Sequence, residues 1–169
     1  MLTPDDVRGV PIFASLGDPE LERLAKRSAD IHLQPGEYVA HEGEGRALLV
    51  VLEGEASVTK SIDGIERVVG RRLPGEVFGE VPIVLGTSFL ANLRAVKAAR
   101  IMRIEPRDFH EAAATAPDLA AAVGALAQDR IAGLHDIAAD APPARATVVG
   151  ERYDSQCRAL RDFLDRNGV

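Results

Sequence analysis

The residues best placed to do chemistry lie in one short stretch, Gly75-Glu76-Val77-Phe78-Gly79-Glu80-Val81-Pro82-Ile83-Val84-Leu85-Gly86. Two glycines beside a carboxylate, followed by a short apolar turn of helix, suit a small anion-binding nest of backbone N–H groups. Taken alone, the same stretch also reads as a plain corner between strands. Elsewhere the chemistry is thin. His32, His41, His110 and His135 are scattered, with no H-x-H or H-x3-H pair, so no metal site is expected. No nucleophile elbow, Walker loop or Rossmann glycine pattern occurs. Glu76 and Glu80 stand four apart without a partner for acid–base work. No catalytic residue is assigned, and this chain is expected not to be an enzyme.

A strand-rich middle must hold that stretch. Nine of the fifteen glycines fall between Gly36 and Gly86, separating short apolar or alternating runs. Reversals in an antiparallel sandwich or barrel need such residues. Strands are predicted over Asp30–Gln34, Tyr38–His41, Ala47–Leu52, Ala56–Lys60, Val68–Leu73, Leu90–Val96 and Arg100–Ile104. The continuous apolar run Ala47–Leu52 reads as a strand buried on both faces. Asp63-Gly64, flanked by Ile62 and Ile65, is the strongest hairpin signal. Helices flank the strands. Thr3 caps a short one with Pro4 at its first position, and Asp18-Pro19 repeats the device. Pro106-Arg107-Asp108 opens another helix and Pro117 a longer one, in a segment to Ala141 that holds thirteen alanines.

With these elements in place, Phe78-Gly79-Glu80, its spacing to Gly86-Thr87 and the strand ending in Arg94-Ala95-Val96 resemble a phosphate-binding cassette. The cassette is that of cyclic-nucleotide-binding domains, found in the catabolite activator protein and the regulatory subunits of cAMP-dependent protein kinase. Pro35-Gly36-Glu37, Glu42-Gly43 and Glu53-Gly54-Glu55 stand where that family's jelly-roll glycines stand. The resemblance covers Val10 to Ala138. It implies a mainly β fold with α flanks: an antiparallel β jelly roll with N-terminal helices, then a hinge helix and a long helix. It also implies a regulatory domain over 1–140 and a cyclic nucleotide, cAMP or cGMP, as ligand. The residues implied to hold it are Phe78, Gly79, Glu80, Val81, Pro82, Phe89, Leu90 and Arg94, with Glu80 accepting from the ribose 2′-hydroxyl.

The cassette departs from the family pattern at two positions. An ungapped alignment places Phe89 where the family's phosphate-pairing Arg stands. Pro82, which has no N–H, stands where a backbone donor holds a phosphate oxygen. Losing a charge-assisted contact costs about 1.5–3 kcal/mol, or about one to two decades of affinity. Binding is therefore expected to be weakened or altered. The alternative is a degenerate domain serving dimerisation or protein docking. Arg94, five residues past Phe89, falls on the opposite face by strand alternation, and Arg46 lies in a loop.

The long helix places Leu119, Val123, Leu126, Arg130 and Leu134 or Ile137 at 3/4 spacing. This stripe either packs back on the roll or, as in the catabolite activator family, pairs with its copy in a homodimer. Residues 141–145 read as a linker. Over 146–169, a short β run and a helix opening at Cys157 resemble the first βα unit of a thioredoxin or glutaredoxin fold. Cys157 matches the second Cys of a C-x-x-C motif and Asp154 the first, so no dithiol mechanism is available there. The arrangement resembles bacterial proteins in which a cyclic-nucleotide-binding domain precedes a thioredoxin-reductase-like flavoprotein. It implies a sensor for an attached NADPH-dependent disulfide oxidoreductase continuing past Val169, with no flavin or NADPH site in these residues.

Composition bounds the partners. The 26 acidic and 20 basic side chains give a net charge of −6, with no Lys/Arg cluster, so no nucleic acid is expected. The stretch after Asp140 is also too short for a helix-turn-helix domain. The longest apolar run falls far below the ~20 residues that span a bilayer, so no membrane is expected. Residues Met1 to Asp6 lack the features of a signal peptide. A single Cys suits a reducing cytoplasm, the expected location.

Overall fold

The computed structural model describes residues 1–62, 64–140 and 160, with continuous side-chain detail through 133. Asp63, the Leu134 side chain, the linker and the Cys157 segment lie outside the described residues. The chain divides into two units, Met1–Leu134 and His135–Val169. In the first, helix α1 (Pro4–Arg8), a 3₁₀ turn (Pro11–Phe13) and α2 (Asp18–Arg27) precede eight strands. These are β1 (Ala29–Leu33), β2 (Tyr38–Ala40), β3 (Leu48–Glu53), β4 (Ala56–Ile62), β5 (Ile65–Arg72), β6 (Val77–Phe78), β7 (Asn92–Ala95) and β8 (Ala99–Ile104). Helix α3 (Glu80–Leu85) sits between β6 and β7. Helices α4 (Pro106–Thr115) and α5 (Pro117–Asp140) follow β8.

Local chemistry explains most boundaries. Thr3 caps α1 as expected, its Oγ1 accepting from the Asp6 N–H at 3.2 Å. At α2 the cap falls on Gly17 instead of Asp18, whose carboxylate pairs with Arg8 at 2.6 Å. Ile62 pairs with Ile65 across the expected two-residue reversal, and Gly64 has φ +77°. Strand β5 stops at Arg72 and leaves Leu73 outside, and β7 begins at Asn92 rather than Leu90. Strand β6 was not predicted. Two residues carry no readable period, and this strand exists because Val77 and Phe78 pair with Val50 and Leu49 of β3.

The strands form two antiparallel four-stranded sheets, ordered β1-β8-β3-β6 and β2-β7-β4-β5. Strand β3 is apolar on both faces because both are covered. Leu49 and Val51 join Leu33, Ile101, Ala56, Val58, Leu93 and Phe89 in a cluster drawn from both sheets. Leu48 and Val50 face the other way, into a cluster with Phe13, Leu21, Phe109, Leu119 and Val123 from the helices. Leu119 and Val123 are 0% and 1% exposed, and Leu126 packs against the same cluster. This part of the α5 stripe thus packs back on the strands, leaving Leu119 and Val123 almost no surface for a partner. No helix among the described residues is long and apolar enough to cross a membrane.

One ion cluster ties the N-terminal helix to the first sheet. Arg100 on β8 donates from Nε and Nη2 to Asp30 at 2.9 and 3.1 Å, and from Nη1 and Nη2 to Asp6 at 3.0 and 3.2 Å. The Met1 ammonium lies 2.7 Å from Asp30, Glu53 lies 3.5 Å from Arg100, and His32 lies 3.6 Å from Asp30. Hydrogen bonding to Arg100 holds the Asp30 carboxyl far below the usual carboxylate range. The Thr3 backbone N–H, and then Arg100, lower that of Asp6. A depressed folded-state pKa contributes stability above the unfolded value of about 4, and that contribution is lost as pH falls further. Arg100→Met is therefore expected to cost about 2 kcal/mol at pH 7. In urea unfolding, the wild-type and variant stabilities should converge only below about pH 4.

Candidate functional site

The cassette is built from the end of β6 onward. Pairing with β3 carries the chain into Gly79, whose φ of +92° lies in the left-handed region. A Cβ at this position would collide with the Ala47 carbonyl oxygen and stand 3.1 Å from Phe89 Cε1. Only glycine satisfies both the torsion and the close approach. Helix α3 starts at once and ends at Gly86, which is also left-handed at φ +70°. Pro82 is the third helical residue, where an N–H has no intrahelical acceptor, so the ring costs the helix nothing there. Its carbonyl accepts from the Gly86 and Thr87 N–H groups, closing the turn.

Glu80 is the first residue of α3 and only 3% exposed. Its Oε2 is buried and makes no hydrogen bond. Burial pushes this carboxyl above its ordinary range, while its own backbone N–H and the charge of Arg72 oppose the shift. An orphan acceptor in a low-dielectric site is costly.

Phe89 is buried at 4% exposure and stacks on Phe78, with ring centroids 5.6 Å apart and planes at 24°. Its N–H donates to the Gly45 carbonyl at 3.0 Å, and its carbonyl accepts from Gly43 at 2.8 Å. The loop before β3 thereby pins the ring beside Gly79. Phe78, Gly79, Val81, Pro82 and Phe89 are all buried, and the Gly79 contact joins the cassette start to Phe89. Leu90 is half-buried, and its carbonyl accepts from Lys60 Nζ at 2.6 Å.

Arg94 is not brought to them. It is exposed on β7, and its neighbours Leu93 and Ala95 point into the cluster that holds Phe89. Its Nε donates to the Gly36 carbonyl at 3.2 Å, and its guanidinium lies 5.6 Å from the Tyr38 ring centroid. The separation expected from alternation holds for a different reason, since Phe89 precedes the strand. Arg46 reaches the far end of α3, where its Nη1 lies 3.3 Å from the position of a Cβ on Gly86. A cation there complements the helix C-terminus.

Sequence reasoning missed Arg72. It is 8% exposed and sits opposite Ala56, a residue of the cluster between the sheets, so both share the inner face. Nothing in the local sequence separates it from Arg71, which faces outward and pairs with Glu55 at 2.7 Å. The β4–β5 register alone decides which arginine goes in. Among the described residues, no group of three or more His, Cys, Asp and Glu is placed to hold a metal.

This geometry is matched by known proteins. A family model described as Cyclic nucleotide-binding domain covers residues 30–116, just over half of the chain. The chain belongs to that family. The chain is 30% identical over 107 residues to a cAMP-dependent protein kinase regulatory subunit of Mycosarcoma maydis, a match over 63% of this chain and 20% of that protein. The catabolite activator protein of Thermus thermophilus matches with a TM-score of 0.65 and 23% identity, over 77% of this chain and 62% of the other. A regulatory subunit of a cAMP-independent protein kinase A from Trypanosoma cruzi, bound to guanosine, matches with a TM-score of 0.65 and 18% identity. That match covers 96% of this chain and 49% of the other. The chain spans about a fifth of the length of the curated relatives it matches.

The close approach at Gly79 can be separated from its torsion. Gly43 also has positive φ, at +83°, but a Cβ there meets nothing within 4 Å. Gly43→Ala is expected to cost about 1 kcal/mol from backbone strain, and Gly79→Ala at least about 2 kcal/mol more from the added collision. Equal urea midpoints for the two variants would count against the packing argument.

Proposed function

We propose that residues 1–140 form a ligand-sensing regulatory domain of the cyclic-nucleotide type, with weakened or altered binding. One observation carries this reading: Glu80 is buried behind an intact Gly79 turn with Oε2 unbonded, while the aromatic ring of Phe89 stands at the family's arginine position. The acceptor for a sugar hydroxyl is kept, and the phosphate contacts at Phe89 and Pro82 are given up. The relative bound to guanosine, a nucleoside without phosphate, supports a pocket of this fold working without the phosphate contact. The two sheets, with strands passing repeatedly from one to the other, support the jelly-roll reading. The attached thioredoxin-reductase-like module and the dimer rest on sequence resemblance. Cys157 and the Leu134 side chain lie outside the described residues.

A second reading is favoured by the same ring. Phe89 is stacked and hydrogen-bonded in place, as expected of a domain whose pocket has become core and whose role is docking. Titration calorimetry of the full chain with cAMP and cGMP separates the two. The sensing reading expects heat only toward about millimolar nucleotide, and a gain of about tenfold or more in Phe89→Arg combined with Pro82→Ala. Absence of heat from both proteins at millimolar nucleotide would leave the docking reading.

A further inference from the structure

Arg72 is the most buried of the described arginines, and it forms no ion pair with a described carboxylate. Its Nε donates to the Val77 carbonyl at 2.9 Å and its Nη1 to the Arg71 carbonyl at 2.6 Å. Gly70, two residues earlier on the same face of β5, leaves the room: a Cβ there would be 3.4 Å from Nη1. Val77 immediately precedes Phe78-Gly79-Glu80, so the guanidinium is fastened to the strand that delivers the cassette. Burial works against the charge on both Arg72 and Glu80 while each favours the other's, and Glu80 Oε2 makes no hydrogen bond. Two buried opposite charges ordinarily close into a pair, because each is expensive alone. Left unpaired, they suit a ligand that presents an anion to one and a hydroxyl to the other.

We propose that Arg72 is the cation this pocket offers to a ligand's phosphate, in place of the arginine that the cassette lacks at Phe89. The inference rests on the sensing reading above and names the group that gives it anion selectivity. Arginine suits the role because its fork keeps donors available after two are spent on backbone carbonyls. Delivery from β5 approaches the pocket from the strand side instead of from the cassette, so the preferred phosphate geometry differs from the family pattern. A merely structural Arg72, tying β5 to β6, would affect folding but not ligand choice.

The test is calorimetric titration of the full chain with cAMP, cGMP, adenosine and guanosine, with circular dichroism melts to follow folding. The wild type should bind at least one cyclic nucleotide about tenfold or more tightly than its nucleoside. Arg72→Leu should abolish that preference while leaving nucleoside affinity within about twofold, and Arg72→Lys should keep part of it. Arg46→Gln and Arg94→Gln should leave the preference intact. Should Arg72→Leu fail to fold, the wild-type preference and Arg72→Lys decide the matter. Equal binding of nucleotide and nucleoside by the wild type would overturn the role of Arg72 and leave the sensing reading standing. So would a preference that survives at Arg72→Leu, is unchanged in Arg72→Lys, or is lost at Arg46 or Arg94. No binding of any of the four ligands would overturn both.

Discussion

Strand β3 carries the constraint on which the rest depends. Leu48 and Val50 are buried under the helices, and Leu49 and Val51 are buried between the sheets. A strand covered on both faces cannot slip by one residue, because either slip exchanges the partners of both cores. The same strand pairs with β6 at Leu49 and Val50, and Ala47 just before it presents the carbonyl that Gly79 must approach. The stretch from Gly79 is therefore placed by a strand that is buried on both faces over Leu48 to Val51.

Within that frame the interior keeps charge where apolar packing would be simpler. Glu80 and Arg72 are both buried, and desolvation disfavours the charged form of each. Their mutual attraction offsets part of the cost without closing into a contact. An orphan carboxylate oxygen in the interior is a cost that packing alone does not offset. Phe89 acts in the opposite direction, since stacking on Phe78 adds apolar contact where the family places a cation.

The helices are bound to the strands by both packing and charge. The Arg100 cluster joins α1 to β1 and β8, and Arg27 on α2 bonds Asp108 and Glu111 on α4 at 3.0 and 2.7 Å. The α2–α4 pairs are more exposed than the Arg100 cluster, so water and salt weaken them more. The firm attachment is at the sheet and the looser one between the helices.

Much was legible in the sequence because it is local. Turn glycines announce positive φ, the Thr3 cap and the Ile62–Ile65 reversal follow from neighbouring residues, and the unbroken run Ala47–Leu52 announces burial on both faces. The turn at Gly79 that leads into Glu80 was readable for the same reason. Strand β6 was not, because two residues become a strand only through their partner. The inward turn of Arg72 was not, because Arg71 and Arg72 are alike until the β4–β5 register sets one opposite Ser57 and the other opposite Ala56. The α5 stripe could have served a partner or the domain's own core, and packing assigned Leu119 and Val123 to the core. By itself the sequence determined which residues could turn, cap or accept a bond. Only the tertiary structure decided which charges were taken from water, since burial depends on what the rest of the chain brings to cover them.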